Sequence, residues 1–267
     1  MSVPAFFTRF AIVAALIYSG PATARAEEGK TKIVIAAASD LKFALDEVIA
    51  EFEKQEPQFV GKPTYGSSGN FFAQIDNGAP FDLFLSADVK FSQQLVDGKK
   101  AVQESLFLYA VGRLVVWVPR TSQIDVEKRG ADALRDPSIR KIAIANPEHA
   151  PYGGAAVAAL KKLGLYDEVQ GKFVLGENIA QTAQFVESGA ADIGIIALSL
   201  ATAPKMKIEG RYWEIPLDVF PRLEQGGVVL AGGKQKEGAV LLRKMITSPC
   251  GQDILQRYGF ILPDEKK

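Results

Sequence analysis

The sequence predicts an α/β protein with mostly parallel sheets, and three observations support this fold class. Segments with the apolar pattern of buried strands alternate with segments of helical periodicity. Small or hydroxylated residues follow several of these strands, where a helix is expected to begin. No Gly/Ser-rich linker interrupts the 267 residues, a length that suits one large domain or two ordinary ones.

Buried strands are predicted where short apolar runs are bounded by turn residues. In chain order these runs are 32–38, 60–65, 82–86, 114–118, 141–145, 173–175, 192–197 and 228–231. Helices are predicted where apolar residues recur every three or four positions. They begin after Ser39, at Phe71, at Gly153 and near Ile179, and two more helices lie between Ala239 and Tyr258.

The chain has no flexible linker, so two lobes would have to be joined by ordinary strands. The best candidates for such crossings are residues 114–118 and the segment 223–230. Two crossings would make the first lobe discontinuous and the hinge between the lobes stiff.

Composition excludes several classes of function. Lys plus Arg and Asp plus Glu each number 31, so the chain has no basic surplus, and we expect no nucleic-acid partner. The sequence contains one Cys and one His, which rules out a Cys-rich zinc site, an intrachain disulfide and a His-cluster metal site. We therefore expect no protein-coordinated metal cation and no cofactor.

The first 26 residues have the pattern of a secretory signal peptide. Arg9 precedes a short apolar run, and Ala24 and Ala26 form an A-x-A cleavage site, so cleavage is predicted after Ala26. The run is too short to span a bilayer. The predicted location is the periplasm, and the chain without residues 1–26 has a formal charge of −2. Any anion must then be held by local groups rather than attracted from a distance.

Four strand-to-helix junctions carry small or hydroxylated residues: 38–40, 67–70, 151–153 and 177–179. A helix N-terminus leaves backbone N–H groups unpaired and carries a partial positive charge. In parallel α/β sheets such junctions gather at the carboxyl ends of the strands, where ligands bind. Each junction alone is explained by an ordinary helix cap, but together they predict an anion site that needs no Lys or Arg.

The residues at these junctions resemble the periplasmic molybdate-binding proteins of ABC importers. The segments that carry the resemblance are IAAASDLKFALDEV (35–48), YGSSGNFFAQIDNGAPFDLFLSAD (65–88), LVVWVP (114–119), IANPEHAPYGGAAVAAL (144–160), GENIAQTAQFVESGAADIGIIALS (176–199) and SPCGQDILQRYGF (248–260). The resemblance implies a two-lobed type II periplasmic binding fold with a two-strand hinge. The implied first lobe is 27–112 with 229–267, and the second is 113–228. It also implies a monomer, a molybdate or tungstate ligand and an inner-membrane ABC permease as partner.

The resemblance also implies the site residues. Ser39 and Ser68 match the family's hydroxyl ligands, and Ile179 matches a backbone N–H donor. Tyr152 lies in the third binding loop, where it is expected to replace a Tyr that many members carry at the position of Ala197. Asp40 is expected to offer its backbone N–H while its carboxylate turns away toward solvent or the helix start.

Two alternatives to molybdate binding stay open from the sequence. The same fold could bind sulfate or another tetrahedral oxyanion, because a donor-only cavity excludes protonated phosphate but not sulfate. A more remote alternative is an extracytoplasmic enzyme that uses His149 with a nearby Ser, although the chain has no G-x-S-x-G motif. The interpretation of His149 as a structural loop residue is favoured.

Overall fold

The structure is a computed structural model that describes residues 29–265. The predicted signal peptide, residues 1–26, lies outside the described residues. The strands are β1 (Thr31–Ala38), β2 (Phe59–Gly66), β3 (Leu83–Ser86), β4 (Phe107–Gly112), β5 (Leu114–Pro119), β6 (Ile142–Ala145), β7 (Phe173–Gly176), β8 (Ile193–Ala197), β9 (Gly210–Glu214) and β10 (Leu223–Val229). The helices are α1 (Lys42–Gln55), α2 (Ser68–Asp76), α3 (Val89–Asp97), α4 (Val126–Arg129), α5 (Pro151–Lys162), α6 (Tyr166–Val169), α7 (Ile179–Glu187), α8 (Leu198–Ala201), α9 (Pro204–Glu209), α10 (Lys236–Thr247) and α11 (Pro249–Arg257).

The strands form two sheets of five, each flanked by helices. The first sheet has the order β2-β1-β3-β10-β4, and the second has the order β7-β6-β8-β5-β9. In the first sheet β10 is antiparallel to both of its neighbours, while β1 is parallel to β2 and β3. In the second sheet β5 is antiparallel to its neighbours β8 and β9, and β6 is parallel to β7 and β8. The prediction of an α/β fold with mostly parallel sheets is confirmed.

Strand β1 is apolar at each of its last six positions, Ile33 to Ala38. Ile33 and Ile35 pack with α1 and the closing helices on one face of the first sheet. Ala36, the residue after Ile35, packs with Phe71 and Phe84 on the opposite face. Because both faces are covered, the strand is a continuous apolar run rather than an alternating one.

The chain crosses between the sheets twice. Only Arg113 separates β4 from β5, and residues 215–222 lead from β9 back to β10. Arg113, in the first crossing, forms an ion pair with Glu214, the last residue of β9 before the second crossing. Since β10 pairs with β3 and β4, residues 223–228 lie in the first sheet rather than in the second lobe. We therefore propose that the second lobe boundary lies within 215–222, not at 228/229.

The register of the parallel strands sets the position of the loops that follow them. Ala38 of β1 pairs with Gly66 of β2, and Ala145 of β6 pairs with Gly176 of β7. The two strands of each pair therefore end level with one another, and the loops after them leave the sheet at the same edge. Within residues 29–265 no helix is both long and apolar enough to cross a membrane.

Candidate functional site

The loops at these strand ends meet in a pocket between the lobes. The pocket is small, and its walls come from both lobes: Ala38, Ser39, Asp40, Gly66, Ser67, Ser68, Ala87, Ala150, Pro151, Tyr152 and Ile179. The structure thus brings together all five residues that the sequence nominated. Among residues 29–265, no Lys or Arg lines this pocket, and Asp40 is the one lining residue with an ionisable acidic side chain, so attraction for an anion comes from hydroxyl and backbone dipoles.

Ser39 follows β1 directly and connects the two lobes. Its Oγ donates to Oδ1 of Asn178 at 3.1 Å and accepts from the backbone N–H of Ala180 at 3.2 Å. Both partners belong to the start of α7 in the second lobe. The side chain is 2% exposed, so this hydroxyl lies at a sealed contact between the lobes.

Ser68 is the first residue of α2, and its neighbour Ser67 is the helix cap. Ser67 Oγ accepts from the N–H of Asn70 at 3.3 Å. Ser68 Oγ accepts from the N–H of Ala87, the residue after β3, at 3.0 Å. Capping thus falls to Ser67, and the hydroxyl hydrogen of Ser68 stays available as a donor in the pocket.

The second lobe contributes two helix N-termini. Asn178 Oδ1 caps α7 by accepting from Ala180 at 3.1 Å and Gln181 at 3.0 Å, and neither bond engages the N–H of Ile179. At the start of α5 the carbonyl of Ala150 accepts from the two residues after Tyr152. The N–H groups of Ile179 and Tyr152 therefore remain among the unpaired donors that every helix start leaves.

The Asp40 side chain does not turn toward solvent, and that part of the expectation was wrong; the backbone N–H groups of Asp40 and Leu41, at the helix start, do contribute to stabilising its carboxylate. The residue is 1% exposed, and Oδ2 accepts from the Tyr152 hydroxyl at 2.9 Å and from Nε2 of Gln225 at 2.5 Å. Burial raises the pKa of this carboxyl to about 6, and the hydrogen bonds from Gln225 and Tyr152 partly oppose the rise. The carboxyl turns inward because these two donors lie between the lobes.

The Tyr152 hydroxyl points toward the hinge strands. It lies within hydrogen-bonding distance of Gln225 Nε2, at 3.1 Å, as well as of Asp40. It also packs against Gly112, where any Cβ would collide with it. The hydroxyl thus hydrogen-bonds within the protein. That it donates to a bound anion, in place of the Tyr that is missing at Ala197, stays a prediction.

His149 lies at the rim of the pocket and contacts both lobes. Its Nδ1 is 3.0 Å from Ser67 Oγ, and its Nε2 is 3.4 Å from a carboxylate oxygen of Glu177. Its carbonyl accepts from the N–H of Gly69 at 2.9 Å. The sequence favoured a structural role for His149 within its loop, and in the structure this residue contacts Ser67 and Gly69 of the opposite lobe. The junctions identified from the sequence contain Ser67 and Asn178, but their contacts with His149 and Ser39 in the opposite lobe were not predicted. Gln225 was missed altogether.

Comparisons with known proteins agree with this architecture. A model of the bacterial extracellular solute-binding proteins matches residues 33–261. The molybdate-binding protein ModA of Azotobacter vinelandii is 35% identical over 86% of this chain and 89% of its own length. The putative ABC transporter substrate-binding lipoprotein YvgL of Bacillus subtilis is 33% identical over 87% of each chain.

A solved structure agrees as well. The periplasmic molybdate-binding protein of Azotobacter vinelandii superposes with a TM-score of 0.81 at 32% identity, over 87% of this chain and all of that one. Family match, sequence identity and fold point the same way. The chain belongs to the bacterial extracellular solute-binding protein family and is homologous within it to the molybdate-binding proteins named ModA.

Proposed function

We propose that this protein captures molybdate, and also tungstate, between its lobes and delivers the anion to an inner-membrane ABC permease. It acts in the periplasm as a monomer after removal of residues 1–26. The single observation that carries the proposal is the pocket between the lobes, in which hydroxyl and backbone donors from four strand-to-helix junctions converge without a Lys or Arg. The choice of molybdate as the ligand and of an ABC transporter as the partner follows the names of its relatives.

The donors suit a doubly charged tetrahedral anion. The hydroxyls of Ser39 and Ser68 belong to the first lobe, and the N–H groups of Tyr152 and Ile179 belong to the second. An anion bridging both sets holds the lobes closed. Each hydrogen bond to a charged group contributes about 1.5–3 kcal/mol, so several such bonds support sub-micromolar binding after entropy losses.

The same donors account for rejection of phosphate. Phosphate near neutral pH carries a proton that needs an acceptor, whereas molybdate and tungstate need donors only. Sulfate is unprotonated like molybdate and smaller, so the spacing of the donors has to exclude it.

The protein is a solute-binding protein rather than an enzyme, as its family and relatives are. The Ser67 hydroxyl beside His149 has a structural explanation, because it caps α2 and is 4% exposed. We therefore set aside the enzymatic alternative built on His149.

Titration calorimetry with molybdate, tungstate, sulfate and phosphate tests the proposal. We expect tight binding of the first two anions only. Ser39→Ala and Ser68→Ala should each weaken molybdate binding by about 1–3 kcal/mol, since a charged guest loses a donor. Ser188→Ala, at an exposed position after α7, is the matched control and should bind like wild type. Tight sulfate binding with no molybdate signal would replace the proposal by the sulfate alternative.

A further inference from the structure

A buried cluster of three side chains lies next to the proposed anion site. Asp40 and Gln225 come from elements of the first sheet, and Tyr152 comes from the second lobe. Tyr152 and Gln225 both hydrogen-bond to the same carboxylate oxygen of Asp40, at 2.9 and 2.5 Å. The hydroxyl of Ser199, also in the second lobe, donates to the Asp40 carbonyl at 2.8 Å. Asp40 is thus held by both lobes at once.

The groups that face Asp40 leave its negative charge without a cation. From α5 comes Tyr152, from β10 comes Gln225, and from α8 comes Ser199. From β4 comes Tyr109, whose buried hydroxyl donates to the carbonyl of Ser86 at 2.9 Å. All four are neutral, and no salt bridge of Asp40 occurs among the described residues. An ionised Asp40 is therefore a buried charge stabilised by hydrogen bonds alone.

The cluster also lacks a donor. Oδ1 of Asp40 and Oε1 of Gln225 are both buried, and neither has a hydrogen-bond partner in the described part of the chain. Two unsatisfied acceptors in one buried cluster are costly, and one additional proton on the carboxyl would supply a donor. Because amide oxygen and nitrogen can exchange places by a flip, the Gln225 amide can present either group to a protonated Asp40.

We propose that capture of the doubly charged anion is coupled to uptake of one proton by Asp40. This inference rests on the proposed function. Asp40 is among the residues that line the pocket, so a carboxylate there repels a dianion bound in it. The proton comes from solvent and bonds to a carboxylate oxygen, and no bond breaks. The protonated carboxyl then donates within the cluster. Asp40 is a positioning residue, because its side chain acts on the anion through charge and through Tyr152.

The upward shift of the pKa of Asp40 supports this coupling. Burial has already raised it to about 6, so the carboxyl is largely ionised at pH 7.5 and a nearby dianion raises its pKa further. Between the two pKa values, before and after the anion binds, affinity should fall up to tenfold for each unit of rising pH. Below that window the dependence disappears.

Titration calorimetry with molybdate tests the coupling. Measurements at pH 7.5 in buffers of different ionisation heat should give an uptake of close to one proton per anion for the wild-type protein. Asp40→Asn should take up none, and its molybdate affinity should be constant from pH 6.5 to 8. Asp218→Asn, at an exposed carboxyl in the second crossing, is the matched control and should behave like wild type.

His149 lies beside Glu177 at the rim and serves as a second position at which to test the source of the uptake. A His149→Gln variant should keep the uptake of one proton, whatever its affinity. Molybdate binding by the wild-type protein with no proton uptake would overturn the inference and leave the proposed function standing. Loss of uptake in His149→Gln would overturn it too. An absence of molybdate binding at every pH would overturn both.

Discussion

The burial of Asp40 leads to a prediction about the stability of the folded protein that can be tested without a ligand. The Asp40 carboxyl has a pKa of about 6 in the folded chain, against an ordinary value of 3.8. That difference corresponds to roughly 3 kcal/mol by which ionisation of Asp40 disfavours the folded state. Asp40→Asn keeps the shape of the side chain and removes the charge. The variant should therefore be more stable than wild type at neutral pH, by up to roughly 3 kcal/mol.

The sign of the effect fixes its pH window. A pKa that is higher in the folded state means that Asp40 contributes most to stability below the unfolded value of 3.8, and that this contribution is lost as the pH rises through about 6. Roughly half of the loss falls between pH 5 and 7, and none above about 8. Asp136, whose pKa is lowered to about 2 by Ser138 and Arg129, acts in the opposite direction but only at lower pH.

Urea unfolding at pH 5, 6, 7 and 8, followed by circular dichroism without added oxyanion, measures the effect. The free energy of unfolding of Asp40→Asn minus that of wild type should grow by about 1–1.5 kcal/mol between pH 5 and 7 and then level off. Asp218→Asn should show no such growth. A difference between Asp40→Asn and wild type that stays constant from pH 5 to 8 would refute the reasoning, since Asp40 would then not ionise in that range.

Three further variants test other contacts. Tyr152→Phe should lower the free energy of urea unfolding by about 1–3 kcal/mol, because a buried carboxyl loses a donor, and stability equal to wild type would contradict this. Gly69→Ala should weaken molybdate binding without lowering the melting temperature, since its Cβ would lie 2.7 Å from the carbonyl oxygen of His149 in the other lobe; unchanged affinity by calorimetry would show that the lobes tolerate the extra atom. Gly210→Ala should destabilise the second lobe by about 1–3 kcal/mol, because the Cβ would meet the buried ring of Trp117; an unaltered urea midpoint would be inconsistent with that packing.

The elements that the sequence predicted best are those specified locally. Strand β1 is a run of eight residues that packs on both faces, and Ser39 follows it at once. The helix starts at Ser68 and Ile179 carry their caps in the adjacent residues Ser67 and Asn178. Such signals lie within a few residues of one another, so the convergence of the strand ends could be inferred without coordinates.

The features that the sequence did not reveal depend on distant partners. The apolar pattern predicted a buried strand only at 228–231, and the segment 223–230 was expected to cross between the lobes, yet β10 starts at Leu223 and pairs with β3 and β4 within the first sheet. Strands β4 and β9 were also missed. Gln225 meets Asp40 across 185 positions of sequence, and that contact determines where the carboxyl points. No local pattern encodes such a pair.

The electrostatics of the pocket explain why one carboxyl can matter so much. The Ser39 hydroxyl already hydrogen-bonds Asn178 and Ala180, so an incoming anion partly exchanges neutral partners for a charged one. Hydrogen bonds to an ionised acceptor are roughly twice as strong as neutral ones, and that difference is the gain on binding. Since no Lys or Arg of the described chain lines the pocket, only the partial charges of the helix N-termini offset the repulsion from an ionised Asp40. Protonation of Asp40 removes this repulsion. Under the proposed coupling, molybdate affinity at high pH is therefore the property most sensitive to this residue.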